Sequence, residues 1–241
     1  MTILALAILF CQAAGATDKE AEAAINAFKT GYKSDDVVKR GAAVTALGQC
    51  EHPKVLSQMP PPLSHEESFV RVAAIEALSG WTSHRAEAGR LLLPVLRQEL
   101  GDKSGGPPDE VLFDALLKAL VKLRVKAAAA DLHRLMIPMT EKRTRMVIDA
   151  VGDLRSRESI DPLLKVWQDD EHETQPRTPK PGDTNSVIRS QQSPNVIRAQ
   201  FLADRSKWLQ NALQTITGQI FADAKEGAAW WQKNKATFKD L

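Results

Sequence analysis

Apolar residues recur along this chain at helical spacing, in blocks that repeat. Arg40-Gly41-Ala42-Ala43-Val44-Thr45-Ala46-Leu47 returns 31 residues later as Arg71-Val72-Ala73-Ala74-Ile75-Glu76-Ala77-Leu78, with Arg, three Ala and Leu in the same places. A fixed period of this length marks a repeat protein, in which each unit buries its apolar face only against its neighbours.

The same pattern predicts the elements in order. Ala21, Ile25, Phe28 and Tyr32 share a stripe behind Asp18, which predicts a capping helix. Asp35 or Asp36 opens the first unit, whose helix carries Val37, Ala43, Val44 and Leu47 and ends at Gly48. Pro53 starts a short second helix, which Pro60-Pro61-Pro62 stops. Ser64-x-x-Glu67 is placed as a capping box for the next helix, where Val70, Ala73, Ala74, Ala77 and Leu78 follow on one face. Its partner helix bears Leu92, Val95, Leu96 and Leu100, with Pro94 expected to kink it or delay its start.

Gly101 to Pro108 is a breaker-rich linker, and Asp109 is the predicted N-cap of unit three, whose stripe runs from Leu112 to Leu123. Its partner spans about Lys126 to Met136. Unit four begins near Thr140, with Val147, Ala150, Val151 and Leu154 on one face, and pairs with a helix opened by Asp161-Pro162. A last unit holds Phe201, Trp208, Leu209, Leu213 and Ile216, followed by a closing helix with Trp230, Trp231 and Phe238.

Anchoring the units on Leu47, Leu78, Leu120, Val151 and Leu213 gives steps of 31, 42, 31 and 62 residues. Forty-two exceeds one period by 11 residues, where the linker falls, and 62 is two periods, so one unit between the fourth and fifth has been replaced. The predicted organisation is therefore a signal segment over 1–16, a capping helix over 17–34 and repeats over 35–168. An irregular insertion over 169–200 and a carboxy-terminal repeat with an aromatic cap over 201–241 complete it. Within the insertion, Ser186 to Gln191 is echoed by Asn195 to Gln200, and the two β-prone pieces could pair as a hairpin or the second could lead into the next helix.

Composition agrees with this class. Hydrophobic residues make up 43% of the chain but aromatics only 5%, which favours close-packed helices over a sheet of β-branched and aromatic residues. The net charge of +2 supplies no overall attraction to nucleic acid or anionic membrane. Between Lys118 and Arg157, however, ten Lys or Arg stand against four Asp or Glu. A charge run on helices ordinarily marks a solvated face.

Met1 to Ala16 carries no charge and has an apolar run from Ile3 to Phe10, too short to span a bilayer. Ala14-x-Ala16 fits a signal-peptidase site, so cleavage is expected after Ala16 and the protein is expected to be secreted or periplasmic, without a transmembrane anchor. Cys11 follows Phe10, where a lipoprotein signal requires a small residue, so a lipid anchor there is not expected. Removal of that segment leaves Cys50 as the only thiol and excludes an intrachain disulfide.

Val70-Arg71-x-Ala73-Ala74-x-x-Ala77-Leu78 and Arg40-x-Ala42-Ala43-x-x-Ala46-Leu47 resemble the HEAT family in its short bacterial form, over roughly 35 to 168 and 201 to 238. The closing Ala212-Leu213-Gln214-Thr215-Ile216-Thr217-Gly218 with Trp230-Trp231 behind it looks like the end of many exported proteins of that kind. The resemblance implies an all-α fold, an α-solenoid of antiparallel helix pairs with about five units and one long insertion. It also implies that Arg40 and Arg71 reach polar partners in neighbouring units. Phe113, Thr144 and Ser206 occupy the aligned later positions, so that ladder is incomplete.

No chemistry-bearing constellation stands out. The five His residues form no metal motif, and no nucleophile elbow or phosphate-cradling loop is present, so no catalytic, cofactor or metal residue is assigned. The expectation is a non-catalytic scaffold that holds a protein partner. The alternatives, a lyase-type enzyme related to HEAT-like repeats or a nucleic-acid-binding repeat protein using the basic 118–157 stretch, fit poorly with export. Lys122 and Arg145 in the basic stretch, and Arg189 and Arg198 in the insertion, are candidate partner-binding positions.

Overall fold

A computed structural model describes residues 16–101, 109–137, 140–174 and 194–239. Among them the chain is all-helical, with twelve α-helices and no strand. In order these are α1 (Asp18–Gly31), α2 (Val37–Gly48), α3 (Pro53–Leu56), α4 (Pro60–Leu63), α5 (Ser68–Ser79), α6 (Arg85–Gly101) and α7 (Glu110–Lys122). After a 3₁₀ turn at Lys126–Ala128 come α8 (Ala129–His133) and α9 (Glu141–Asp153). A second 3₁₀ turn at Arg157–Ser159 leads into α10 (Ile160–Thr174), then α11 (Pro194–Thr217) and α12 (Ala224–Asn234).

The repeat is visible in where helices start. The N-caps Asp36, Glu67, Asp109 and Thr140 stand at the same steps as the anchors Leu47, Leu78, Leu120 and Val151, all of which are buried, as is Leu213. Asp36 and Asp109 accept backbone N–H bonds from the first turn of α2 and α7, which satisfies donors that the helix itself leaves free. Thr17 caps α1 through a reciprocal pair with Glu20, a box the sequence pattern did not single out.

Several expectations need correction. Pro60-Pro61-Pro62 does not only stop a helix but forms α4, whose Pro60 carbonyl captures the Ser64 hydroxyl at 3.0 Å. The N–H of Glu67 is taken by His65 Nδ1, so no Ser64–Glu67 capping box forms and Glu67 caps α5 without a side-chain bond. Helix α6 starts at Arg85 and runs through Pro94, which lies on its exposed side. The irregular insertion is shorter than 169–200, because 169–174 belong to α10 and 194–200 to α11. Of the two alternatives for Asn195 to Gln200, the lead into the next helix is the one that forms, while Ser186 to Gln191 lies outside the described residues. The linker residues 102–108 and the segment 1–15, Cys11 included, are also outside them.

The chain divides into two compact units, Met1–Ala128 and Ala129–Leu241. In the first, α1, α2, α5 and α7 pack in succession, with α3, α4 and α6 against them. Small residues set the spacing. A Cβ on Gly48 would lie 2.3 Å from the Cβ of Ala77, and one on Gly41 would lie 2.5 Å from the Phe69 ring. Because Gly41 meets Phe69 and Gly48 meets Ala77, α2 and α5 run parallel. The Trp81 indole N–H donates to the Gly48 carbonyl at 2.8 Å, which gives the buried ring its polar partner.

In the second unit, α9 and α10 both pack on α11, and α12 packs on α10. Asp170 of α10 and Arg205 of α11 form a buried bidentate pair, one arm of which measures 2.8 Å. Burial pushes the Asp170 carboxyl up from its ordinary value, against the pull of the guanidinium. The α12 end is closed by Trp231, whose N–H donates to Asp161 at 2.8 Å, and by Arg157, which donates to the carbonyls of Lys235 and Phe238.

Candidate functional site

The repeat steps that place the buried anchors also place three apolar side chains in water. Val38, Phe69 and Val111 sit one position after the first residue of α2, α5 and α7, and they are 66%, 53% and 67% exposed. Single exposed apolar residues need no explanation, but the same position left apolar and wet in three successive units is a pattern.

Between α2 and α5 this pattern opens into a groove. Gly41 seats the edge of the Phe69 ring, so the ring stands beside α2 without being covered by it. The first half, of about 630 Å³, is lined by Val38, Ala42, Phe69, Val72 and Ala73, with Thr45 and Glu76 at its far end. A second stretch of about 440 Å³ continues from Thr45 and Glu76 past Gln49 to Glu51 and Thr82. One half is apolar and the other carries two carboxylates.

Glu51 is fixed in place by the following unit. Its carboxylate accepts the backbone N–H of Thr82 at 2.9 Å and that of Ser83 at 2.8 Å. Burial pushes its carboxyl up, but the donors from Ser83 and Thr82 together outweigh burial and hold it below its ordinary value. Asp109 is held low in turn, first by the Ser68 hydroxyl that donates to it.

Arg40 and Arg71 both sit half-buried on the first-helix row. Arg40 Nη1 lies 3.0 Å from His65 Nε2, and Arg71 Nη1 lies 2.7 Å from Glu99. At the aligned later positions Phe113 and Thr144 are buried. One residue before the last two positions stand Arg143 and Arg205, both 7% exposed. Sequence reasoning missed this pair, although the 62-residue step aligns them.

The other positions singled out in the sequence are spread out. Lys122 is exposed in the last turn of α7. Arg145, in α9, faces Asp149 at 3.7 Å and lies over the Trp208 ring. Arg198, in α11, forms a bidentate pair with Glu173 of α10, and Arg189 lies outside the described residues. Much of the basic stretch is matched locally, since Lys118 pairs with Asp114 and Arg134 faces Asp131.

His133 bonds Ser159 at 2.9 Å, and burial holds its pKa below the ordinary value. Among the described residues no group of three or more His, Cys, Asp or Glu could hold a metal ion, and no helix is long and apolar enough to cross a membrane. Cys50 is buried. Compared with family models and with curated proteins, the chain matches none of them.

Proposed function

We propose that this chain is a non-catalytic scaffold of the HEAT-repeat type that holds a protein partner on the row of its first helices. The observation that carries the proposal is the wet apolar series Val38, Phe69 and Val111, kept at one repeat position while every anchor is buried. Repeat arrays offer extended surfaces for partners, and apolar side chains exposed in register along one supply contact area.

Chemical crosslinking with partner identification in cells that make the protein tests this. Partner crosslinks should map to α2, α5 and α7 and fall sharply in the triple variant Val38→Ser, Phe69→Ser, Val111→Ser. Val38 and Val111, two-thirds exposed, change stability by only about 0.5 kcal/mol each, and circular dichroism of the triple variant should match the parent because the Phe69 ring is half in water. A chain that crosslinks to no protein, or a variant that keeps every crosslink, would sink the proposal.

Nucleic acid is not the partner proposed, because Lys118, Arg134, Arg145 and Arg198 have carboxylates beside them and Arg143 is buried. We further propose that the mature protein is exported after cleavage behind Ala16. The support is that Thr17, the next residue, is the N-cap of α1, so cleavage there would leave a capped helix at the new terminus. Mass spectrometry of the mature amino terminus should find Thr17.

A further inference from the structure

We propose that the groove between α2 and α5 takes a short helical segment of the partner that presents apolar side chains at one end and Lys or Arg at the other. This rests on the scaffold proposal above and gives that partner a chemistry. Three observations point to it.

The first is the division of the groove itself. Its apolar half offers Val38, Phe69 and Val72 on a floor of Ala42 and Ala73, and among the described residues Phe69, seated on Gly41, stays 53% exposed. An apolar anchor placed there is removed from water against a rigid floor, the geometry of helix-in-groove recognition.

The second is charge. The chain as a whole is net positive, with 32 Lys or Arg, yet among the described residues no Lys, Arg or His lines either half of the groove. What lines its far half is Glu76 and Glu51, and Glu51 is held ionised by the two amides that bind it. A cation is the complement of that half, and an acidic segment is repelled by it.

The third is helix direction. Since α2 and α5 run parallel, both carboxy-terminal ends lie at the acidic end of the groove. Each helix end adds about half a negative charge there, in the same sense as the two carboxylates. The orientation of the guest follows: apolar residues near Val38 and Phe69, the cation near Glu76 and Glu51. A helix of 12 residues, the length of α2, is about 18 Å long, so the groove accommodates about three turns of guest helix.

The test uses synthetic helical peptides, labelled with fluorescein, that carry Leu on one face in their first two turns. One version has two Lys in its third turn, and its counterpart has two Glu in the same places. Fluorescence anisotropy against the full chain should show the Lys peptide binding at least about tenfold more tightly than the Glu peptide, a margin that corresponds to roughly 1.4 kcal/mol. Glu76→Lys should reverse that preference, and Phe69→Ser should weaken both peptides. Circular dichroism of the variants should match the parent.

Binding that ignores both substitutions, equal binding of the two peptides, or no binding of either overturns the inference while leaving the scaffold proposal to its crosslinks. Sedimentation showing a dimer that Phe69→Ser dissolves would also overturn it, because the groove would then be filled by a second copy of the chain. Failure of the crosslinking experiment, in contrast, removes the scaffold proposal whatever the peptides do.

Discussion

The two compact units solve the same packing problem with different materials. In the unit ending at Ala128, neighbouring first helices approach through glycine and alanine, as where Gly48 meets Ala77, and polar groups serve mainly to staple one repeat to the next. In the unit beginning at Ala129, a buried Arg205–Asp170 pair and a cluster of Trp230, Trp231 and Phe238 do the joining. Small residues bring helices together in both units, since Gly152 meets Ala212 in the second as Gly48 meets Ala77 in the first, but only in the first does such a contact, Gly41 against Phe69, seat an aromatic ring that stays 53% exposed. The difference teaches that a wet apolar row and a tight helix contact are two sides of one arrangement.

The sharpest way to break this comparison is to remove Arg205. Arg205→Ala leaves the Asp170 carboxylate buried without its partner and should destabilise the second unit by about 3–5 kcal/mol, while Arg205→Met with Asp170→Leu should come within about 1 kcal/mol of the parent. Tryptophan fluorescence in a urea titration reads this, because Trp167, Trp208, Trp230 and Trp231 lie in that unit and only Trp81 in the other. An equal loss in both variants would mean the charge pair matters for reasons other than its burial.

In the first unit the matching test is steric. Gly48→Ala puts a methyl group where Ala77 already stands, and overpacking of this kind costs about 1–3 kcal/mol. Adding Ala77→Gly should restore most of the loss. If Gly48→Ala instead stabilises the chain through its better helix propensity, α2 and α5 have room to move apart.

A smaller effect belongs to the staple. Glu51→Gln should cost about 1 kcal/mol, since hydrogen bonds to a charged acceptor are stronger than those to a neutral one but this site is partly screened by water. The pH dependence has a definite sign: the folded pKa of Glu51 lies below its ordinary 4.5, so its contribution is complete above about that pH and is lost as pH falls through the folded value. Asp170, pushed up by burial, contributes with the opposite sign, its share being lost as pH rises through its folded pKa. Thermal unfolding between pH 3 and pH 6 should show Glu51→Gln converging on the parent in acid.

The smallest change sits at two equivalent turns, one in each unit. Arg124 and Arg155, 31 residues apart, hold left-handed backbone with φ of 54° and 49° just past the ends of α7 and α9. Arg155→Gly should gain up to about 1 kcal/mol, because glycine enters that region without a Cβ penalty. No gain in the urea midpoint would show that the Arg155 side chain repays the strain.

Much of the fold could be read from the chain because one signal, a 3.6-residue stripe repeated at a fixed step, specifies N-caps and anchors together. Asp36, Asp109, Leu78 and Val151 all follow from it. Where that signal is broken, the pattern left two alternatives open for Asn195 to Gln200, a hairpin strand or a lead into the next helix, and the second is what forms. Val196 and Ile197 look like a strand by local preference, yet they lie exposed on α11, whose buried face comes later, at Leu202, Arg205 and Leu209. The ion pair that closes the second unit joins residues 35 apart across the break in the repeat, so no spacing links them. The wet row was legible in principle, because the same steps counted from nine residues before each anchor reach Val38, Phe69 and Val111; an amphipathic stripe draws attention only to the positions it buries.

The way Arg157 and Asp161 hold the last helix has a consequence for how the chain is made. In the first unit the ties from Trp81 to Gly48 and from Ser68 to Asp109 span 33 and 41 residues, so each repeat can settle soon after its predecessor leaves the ribosome. The bonds from Arg157 to Phe238 and from Lys235 to Asp161 span 81 and 74. Synthesis halted before α12 therefore leaves Arg157 and Asp161 without these partners, and the second unit can finish folding only once α12 and the residues just behind it have been translated.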